Sequence, residues 1–300
     1  MDKLRAMRIF CRVVEAKRFA AAAQSMEVVP SAISKGIATL EEELGFRLLN
    51  RSTRGLVPTE EGAAYYDRCR QILNDIDEAE AQGRGGDARG RGTLRVGMHP
   101  GLRFEIMASL GPFLDAQPEL KVETVITNSP SAVIEEGLDL VLHIGRLADS
   151  GLVARPLGWT DSVVCASPAY LAAWGEPQHP GELARHRAVI YARRDEEANT
   201  RWSFARGEET CEVDVPVRTI SRDGVGLVDA ALGGCGLARP FDVAVRHWLA
   251  TGQLRTVLNG WAGARQAITA VLPGRSTSAK VRLYIEHVVG LLSFAGRDRK

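Results

Sequence analysis

Five side chains between residues 31 and 42 share one face of a short amphipathic segment: Ser31, Lys35, Ala38, Thr39 and Glu42. Ala32 and Ser34 lie on its flank and Pro30 stands just ahead. At about 100° per residue this face lies opposite Ile33, Ile37, Leu40 and Leu44, whose spacings of 4, 3 and 4 make a stripe for a core. Small hydroxyls, a methyl group and one cation near a helix N-terminus are the groups that reach phosphates and base edges in a major groove. Periodicity taken alone favours an ordinary surface helix. A second such chemistry follows at Arg51, Thr53 and Arg54, where guanidinium groups on a predicted turn can neutralise phosphates or enter a narrow minor groove.

These residues need a scaffold, and the flanking chain predicts one. Residues 20–26 form a short alanine-rich helix, and residues 27–30 leave room only for a tight turn before the second helix, a helix-turn-helix. Leu4, Met7, Phe10 with Cys11, and Val14 give a preceding helix an apolar face, with Arg5, Arg8 and Arg12 on or near its outer side. Residues 46–51 and 56–57 read as a two-stranded wing with its tip at 52–55. Pro58-Thr59-Glu60-Glu61 then starts a long helix, a hydroxyl cap followed by acids where the helix dipole favours them. Tyr65, Cys69, Ile72, Ile76 and Ala79 recur along it at heptad spacing, a seam that calls for a partner helix. The glycine- and arginine-rich segment 83–92 reads as a hinge; no strand precedes it and its glycines fit no phosphate loop.

The stretch AAAQSMEVVPSAISKGIATLEEELGFRLLNRSTRGLVPTEEG resembles the DNA-binding head of the LysR-type transcriptional regulators. Its order is P-S-A-x-S-K, L-E-x-x-L-G, x-R-L-L-N-R-S-T-R and L-x-P-T-E-x-G. The resemblance implies a dimerising linker helix after the head and double-stranded promoter DNA as partner. It also marks departures. Ala20 stands where a capping hydroxyl is usual, Gly36 where a long polar residue is usual, and Thr39 where arginine is frequent. Ser31, Ala32, Ser34, Lys35 and Thr39 then remain as direct readers.

Charge is unevenly placed. Residues 1–58 carry +4, residues 59–82 carry −5, and the net charge of the 300 residues is +1. A basic head on a neutral body fits a nucleic-acid tip. The five cysteines form no C-x-x-C pair and are expected as reduced thiols in or near cores, and the six histidines show no ligand spacing, so neither metal nor cofactor is expected. No apolar leader or run of about 18 apolar residues appears, which points to a cytoplasmic protein without a membrane span.

From residue 93 strands and helices alternate: strand 93–98, helix 104–116, strand 121–127, a helix to 137 and strand 140–145, the pattern of a parallel α/β sheet. Further strands are expected at 159–166, 188–191, 211–217, 219–221 and 266–272, with helices at 223–232 and 279–292. Ligands of such sheets lie at the carboxyl ends of strands. That rule nominates Pro100, Gly101, Arg103, Asn128 and Ser129, with Ser167 and Asp223 from the second half; Arg103 points to an anionic small molecule. EEGLDL, HIGRL, CASPAYL and AALGGCG are similar to the two-lobed, type 2 periplasmic-binding-protein-like effector domain of the same family.

The expected fold is therefore mixed: an all-α winged helix-turn-helix with linker helix, then an α/β two-lobed effector domain. The boundaries are 1–58 for the head, 59–92 for linker and hinge, and 93–300 for the effector domain, with lobe I at 93–161 and 266–300 and lobe II at 162–265. The expected function is a regulator, a homodimer or homotetramer (dimer of dimers), whose promoter binding responds to an effector. A cytoplasmic small-molecule binder with a vestigial head is the alternative. An enzyme ranks last, since no G-x-S-x-G, Walker loop or H-E-x-x-H is present.

Overall fold

A computed structural model describes residues 2–16, 18–26, 28–52, 55–83, 90–148, 151–192, 197–274 and 277–294. The chain divides into two compact units, Met1–Arg89 and Gly90–Lys300.

In the first unit, helices α1 (Lys3–Ala16), α2 (Phe19–Ser25) and α3 (Pro30–Leu44) precede an antiparallel wing, β1 (Leu49–Ser52) and β2 (Gly55–Pro58), and the long helix α4 (Glu60–Gly83). Phe10, Val13, Ala22, Ile33, Leu40, Leu48 and Cys69 are fully buried in one core. Helix α2 begins earlier than expected: its cap is Arg18, which offers no side-chain hydrogen bond, so Ala20 lies inside the first turn. The helix relies on packing of Ala22 and Ala23, with Phe19 and Met26 partly buried beside them.

Two local devices hang the wing on the helices. Gly45 closes α3 at φ 78°, a left-handed turn that glycine adopts without a Cβ penalty. The Glu41 carboxylate then accepts from the Leu48 and Leu49 amides at 2.7 and 3.2 Å, aiming the first wing strand. Thr59 caps α4 as its hydroxyl predicts, accepting from the Gly62 amide at 2.9 Å while donating to the Arg47 carbonyl at 2.7 Å. Gly62 packs flat on the wing; a Cβ built there would lie 2.0 Å from the Leu48 carbonyl oxygen.

The heptad seam divides. Tyr65, Cys69 and Leu73 turn into the core of their own unit, whereas Ile72 is 41% exposed and Ile76 half-buried. The side chain of Ala79 lies outside the described residues, as do residues 84–89 of the expected hinge.

The second unit holds two five-stranded sheets. The first contains β3 (Gly92–Met98), β4 (Leu120–Ile126), β5 (Leu140–Ile144) and β6 (Val153–Asp161), with α5 (Arg103–Asp115) and α6 (Ala132–Glu135) between them. The second contains β7 (Val164–Ala166), β8 (Ala188–Tyr191), β11 (Val217–Ser221), β12 (Leu237–Ala238) and β13 (Arg255–Val257). Helix α7 (Pro168–Trp174) follows β7, the hairpin β9 (Arg201–Arg206) and β10 (Glu209–Asp214) precedes β11, and α8 (Gly224–Leu232) and α9 (Asp242–Ala250) flank β12. The chain returns to the first sheet as β14 (Arg265–Leu272) and closes with α10 (Ala279–Phe294). Sheet orders are β4-β3-β5-β14-β6 and β11-β8-β12-β7-β13.

The expected parallel sheet is mixed in fact. β3 runs parallel to β4 and β5, but β14 is antiparallel to both β5 and β6, because it re-enters from the second sheet. The expected single strand 159–166 is two strands in different sheets; the chain crosses over at Ser162-Val163. β9 and α9 were not foreseen. Helix α9 gives Val243 to the core of the first sheet and Val245 to a core of the second, so apolar residues on two sides blur its period. Cys235 is exposed, contrary to the expected burial, while Cys11, Cys69 and Cys165 are buried. Among the described residues no helix is long and apolar enough to cross a membrane.

Candidate nucleic-acid interface and ligand cleft

On α3 the two faces separate as the spacing demands. Ile33, Ile37 and Leu40 are at most 4% exposed, while Pro30, Ser31, Ala32 and Lys35 are exposed and Ser34 and Thr39 half-buried. Pro30 occupies the first helical turn, where its missing N–H costs nothing. Thr39 donates its hydroxyl to the Lys35 carbonyl at 3.0 Å, so toward a ligand it offers lone pairs and a methyl group. Among the described residues Lys35 has no ion-pair partner, which leaves its ammonium for an external anion. Arg51 lies on the first wing strand opposite Leu56. Thr53 and Arg54 lie outside the described residues.

In the second unit the carboxyl ends of the parallel strands of both sheets face each other. Asn128, just after β4, donates from Nδ2 to the Tyr191 hydroxyl at the end of β8, 2.9 Å away, and among the described residues its buried Oδ1 has no partner. Ser129 bonds within its own loop, its hydroxyl 2.7 Å from that of Ser131 and its amide donating to the Thr127 hydroxyl at 3.1 Å. After β3, His99 accepts the Gly101 amide on Nδ1 at 3.0 Å and opens the 3-10 turn Pro100–Leu102 that leads into α5 at Arg103. Burial, and then the charge of His143, push the His99 imidazole down to about 4, so it stays neutral near pH 7. Opposite this turn, Asp223 caps α8 by accepting the Gly226 amide at 2.6 Å. A Cβ built at Gly224 would come within 3.2 Å of Pro100, and one at Gly101 within 3.6 Å of Ala244. The space between Pro100, Arg103 and Gly224 is about 10 Å³, room for one water. Pro100, Gly101, Arg103 and Asp223 are thus gathered, with Asn128 latched across the same divide, but the cleft is shut.

Ser167 does not join them. β7 runs antiparallel to β12, so the residue after it lies at the far end of the second sheet from the Asn128–Tyr191 contact. There Ser167 is 5% exposed and caps α7, accepting the Tyr170 amide at 3.4 Å. The carboxyl-end rule failed because it presumes a parallel strand. Two cleft residues, Tyr191 and His99, were not singled out at the sequence level, nor was Arg239 beside the core of the second sheet. Tyr191 and His99 end strands, and the carboxyl-end rule reaches both. Arg239 follows β12, its guanidinium over the Phe204 and Trp202 rings at 4.9 and 5.8 Å and donating to the Ser203 carbonyl at 3.0 Å. Trp202 and Phe204 themselves are buried in the core.

Two family models cover the chain: "Bacterial regulatory helix-turn-helix protein, lysR family" over residues 4–63 and "LysR substrate binding domain" over residues 87–293. The chain belongs to the LysR family of transcriptional regulators. An HTH-type transcriptional regulator of Xanthomonas campestris pv. campestris (strain 8004) is 36% identical over 95% of this chain and 84% of its own length. An HTH-type transcriptional repressor of Pseudomonas aeruginosa (strain UCBPP-PA14) is 32% identical over 98% of this chain and 93% of its own. The solved structure of CrgA, a LysR-type transcriptional regulator from Neisseria meningitidis, is similar over 96% of this chain and 98% of its own, with TM-score 0.60 and 29% identity. Like them, this LysR-type regulator pairs a DNA-binding head with an effector domain.

Proposed function

We propose that this regulator reads promoter DNA through Pro30, Ser31, Ala32, Ser34, Lys35 and Thr39 of α3 and through Arg51, Thr53 and Arg54 of the wing. The observation that carries this reading is the clean division of α3 into a buried apolar stripe and an exposed polar face. The protein acts as a homodimer or a dimer of dimers, so that two heads meet two half-sites related by two-fold symmetry. Ile72, exposed on a helix whose other apolar side is already used, supports α4 as the pairing helix. It works in the cytoplasm and by binding rather than catalysis, in keeping with the regulators it resembles.

The effector is a small molecule, anionic by the nearness of Arg103, admitted between Pro100, Gly101, Arg103, Asn128, Ser129 and Asp223. Admission requires the Asn128–Tyr191 latch to part, since a space of about 10 Å³ holds no ligand. The effector then selects a lobe arrangement and shifts the population of DNA-competent dimers. A nuclease footprint on the region upstream of its own reading frame tests the dimer. Two protected patches whose centres are whole helical turns of about 10 bp apart are expected. A single patch of half that extent contradicts it.

A further inference from the structure

The head contains a cavity beside the proposed DNA-reading face of α3, lined in part by Ala32, Lys35 and Thr39 of that face. It measures about 350 Å³ and opens between the first turns of α1 and the flank of α3. Its floor is apolar, formed by Ile9, Met26, Val28 and Ile33, and Arg5 and Lys35 line it as exposed cations. Gly36, buried on the same flank of α3, also lines it. Mid-helix glycine is disfavoured relative to alanine, so this lining position carries a cost in helix propensity. Among the described lining residues there is no carboxylate, and among the described residues neither Arg5 nor Lys35 is ion-paired. Apolar walls of this volume with a few polar groups are the usual makings of a small-molecule site. Two cations beside an apolar floor select a single negative charge on a hydrocarbon body.

We propose that this cavity binds an amphipathic carboxylate, a medium-chain fatty acid, with its chain on Ile9, Met26, Val28 and Ile33 and its carboxylate held by Arg5 and Lys35. Ala32, Lys35 and Thr39 line the cavity and also belong to the proposed DNA-reading face of α3, so occupancy of the cavity and of that face are coupled, although acid binding is measured without DNA. If Lys35 also contacts DNA, acid and promoter exclude each other, and by linkage each weakens the other equally.

The test is calorimetric titration of the full-length protein with octanoate, nonanoate and decanoate. One saturable site per chain is expected, tightening about two- to fourfold per added methylene. Methyl decanoate should bind at least about tenfold more weakly, and Arg5→Ala/Lys35→Ala should lose at least about tenfold for decanoate. Gly36→Leu should abolish binding by filling the space. All five tryptophans lie between residues 159 and 261, so their emission reports the effector unit and should not change. Should Gly36→Leu fail to fold, the double variant decides alone, because both its side chains are exposed. Absence of saturable binding up to about 5 mM decanoate would overturn the proposal and leave the cavity as part of the DNA-contact surface. Undiminished binding in both variants, accompanied by a change in tryptophan emission, would overturn it by placing the acid in the effector unit.

Discussion

On α3 the candidate binding residues stand clear of the core: Ser31, Ala32 and Lys35 are exposed and the stripe behind them is sealed. In the effector unit the candidates are employed by the fold itself. Asp223 caps α8, Asn128 is bonded to Tyr191, and His99 shapes the turn before α5. One surface is built before its ligand arrives; the other must be undone to receive it. The contrast suits a regulator, since the part that reads DNA benefits from rigidity and the part that senses must have two arrangements of similar free energy.

The comparison can be broken most forcefully from the head. Phe10→Ala removes a fully buried ring and should cost about 3–5 kcal/mol. Gly62→Ala forces a methyl group against the Leu48 carbonyl and should cost about 3 kcal/mol or more. Both should abolish DNA binding while the thermal transition followed by tryptophan emission, which reports residues 159–261, holds its place. Movement of that transition would show that the two units do not fold independently.

Next in size is a pH effect confined to the effector unit. His99 has a folded-state pKa of about 4 against an ordinary value near 6.5, so the unfolded chain binds more protons between these limits. Its contribution is fully present above about pH 6.5 and is lost as pH falls toward 4, about 3 kcal/mol in all. Chemical denaturation followed by tryptophan emission at a series of pH values should show this slope, and His99→Gln should flatten it. Asp223→Ala should then destabilise the same unit by about 1 kcal/mol through the lost cap, measurable in the same denaturation curve.

The smallest effect sharpens the idea of a shut cleft. Asn128→Ala or Tyr191→Phe removes one hydrogen bond, about 0.5–1.5 kcal/mol, and should loosen the lobes more than it lowers the melting temperature. Hydrogen exchange of the amides at 99–104 and 224–228 is the measure. Faster exchange is expected in both segments, and unchanged exchange would mean the latch does not hold the cleft.

What was legible in the chain follows the same division. The α3 stripe, the Thr59 cap and the wing could be read because each depends on residues within a turn or two of one another. In the effector unit the strand–helix alternation was legible, but strand direction was not. Alternation along a strand carries no sign of which sheet it joins, so although the lobe boundary was expected at 161/162, the run 159–166 was read as one strand and Ser167 was assigned to the wrong end. Helix α9 escaped because it packs on two cores at once, and Tyr65 and Cys69 suited a partner helix and their own head equally well. Tyr191, by contrast, ends a strand that had been recognised.

The account rests on the head reading DNA, and the most direct measurement is the affinity of the full-length protein for its own upstream promoter across a salt series. It should be run beside Lys35→Ala/Arg54→Ala. The wild type should bind selectively in the nanomolar range, with log K falling linearly in log salt at about 0.9 per phosphate contact. The variant should bind far more weakly, with its slope reduced by about 2. Weak binding, indifferent to sequence and the same in both proteins, would contradict it.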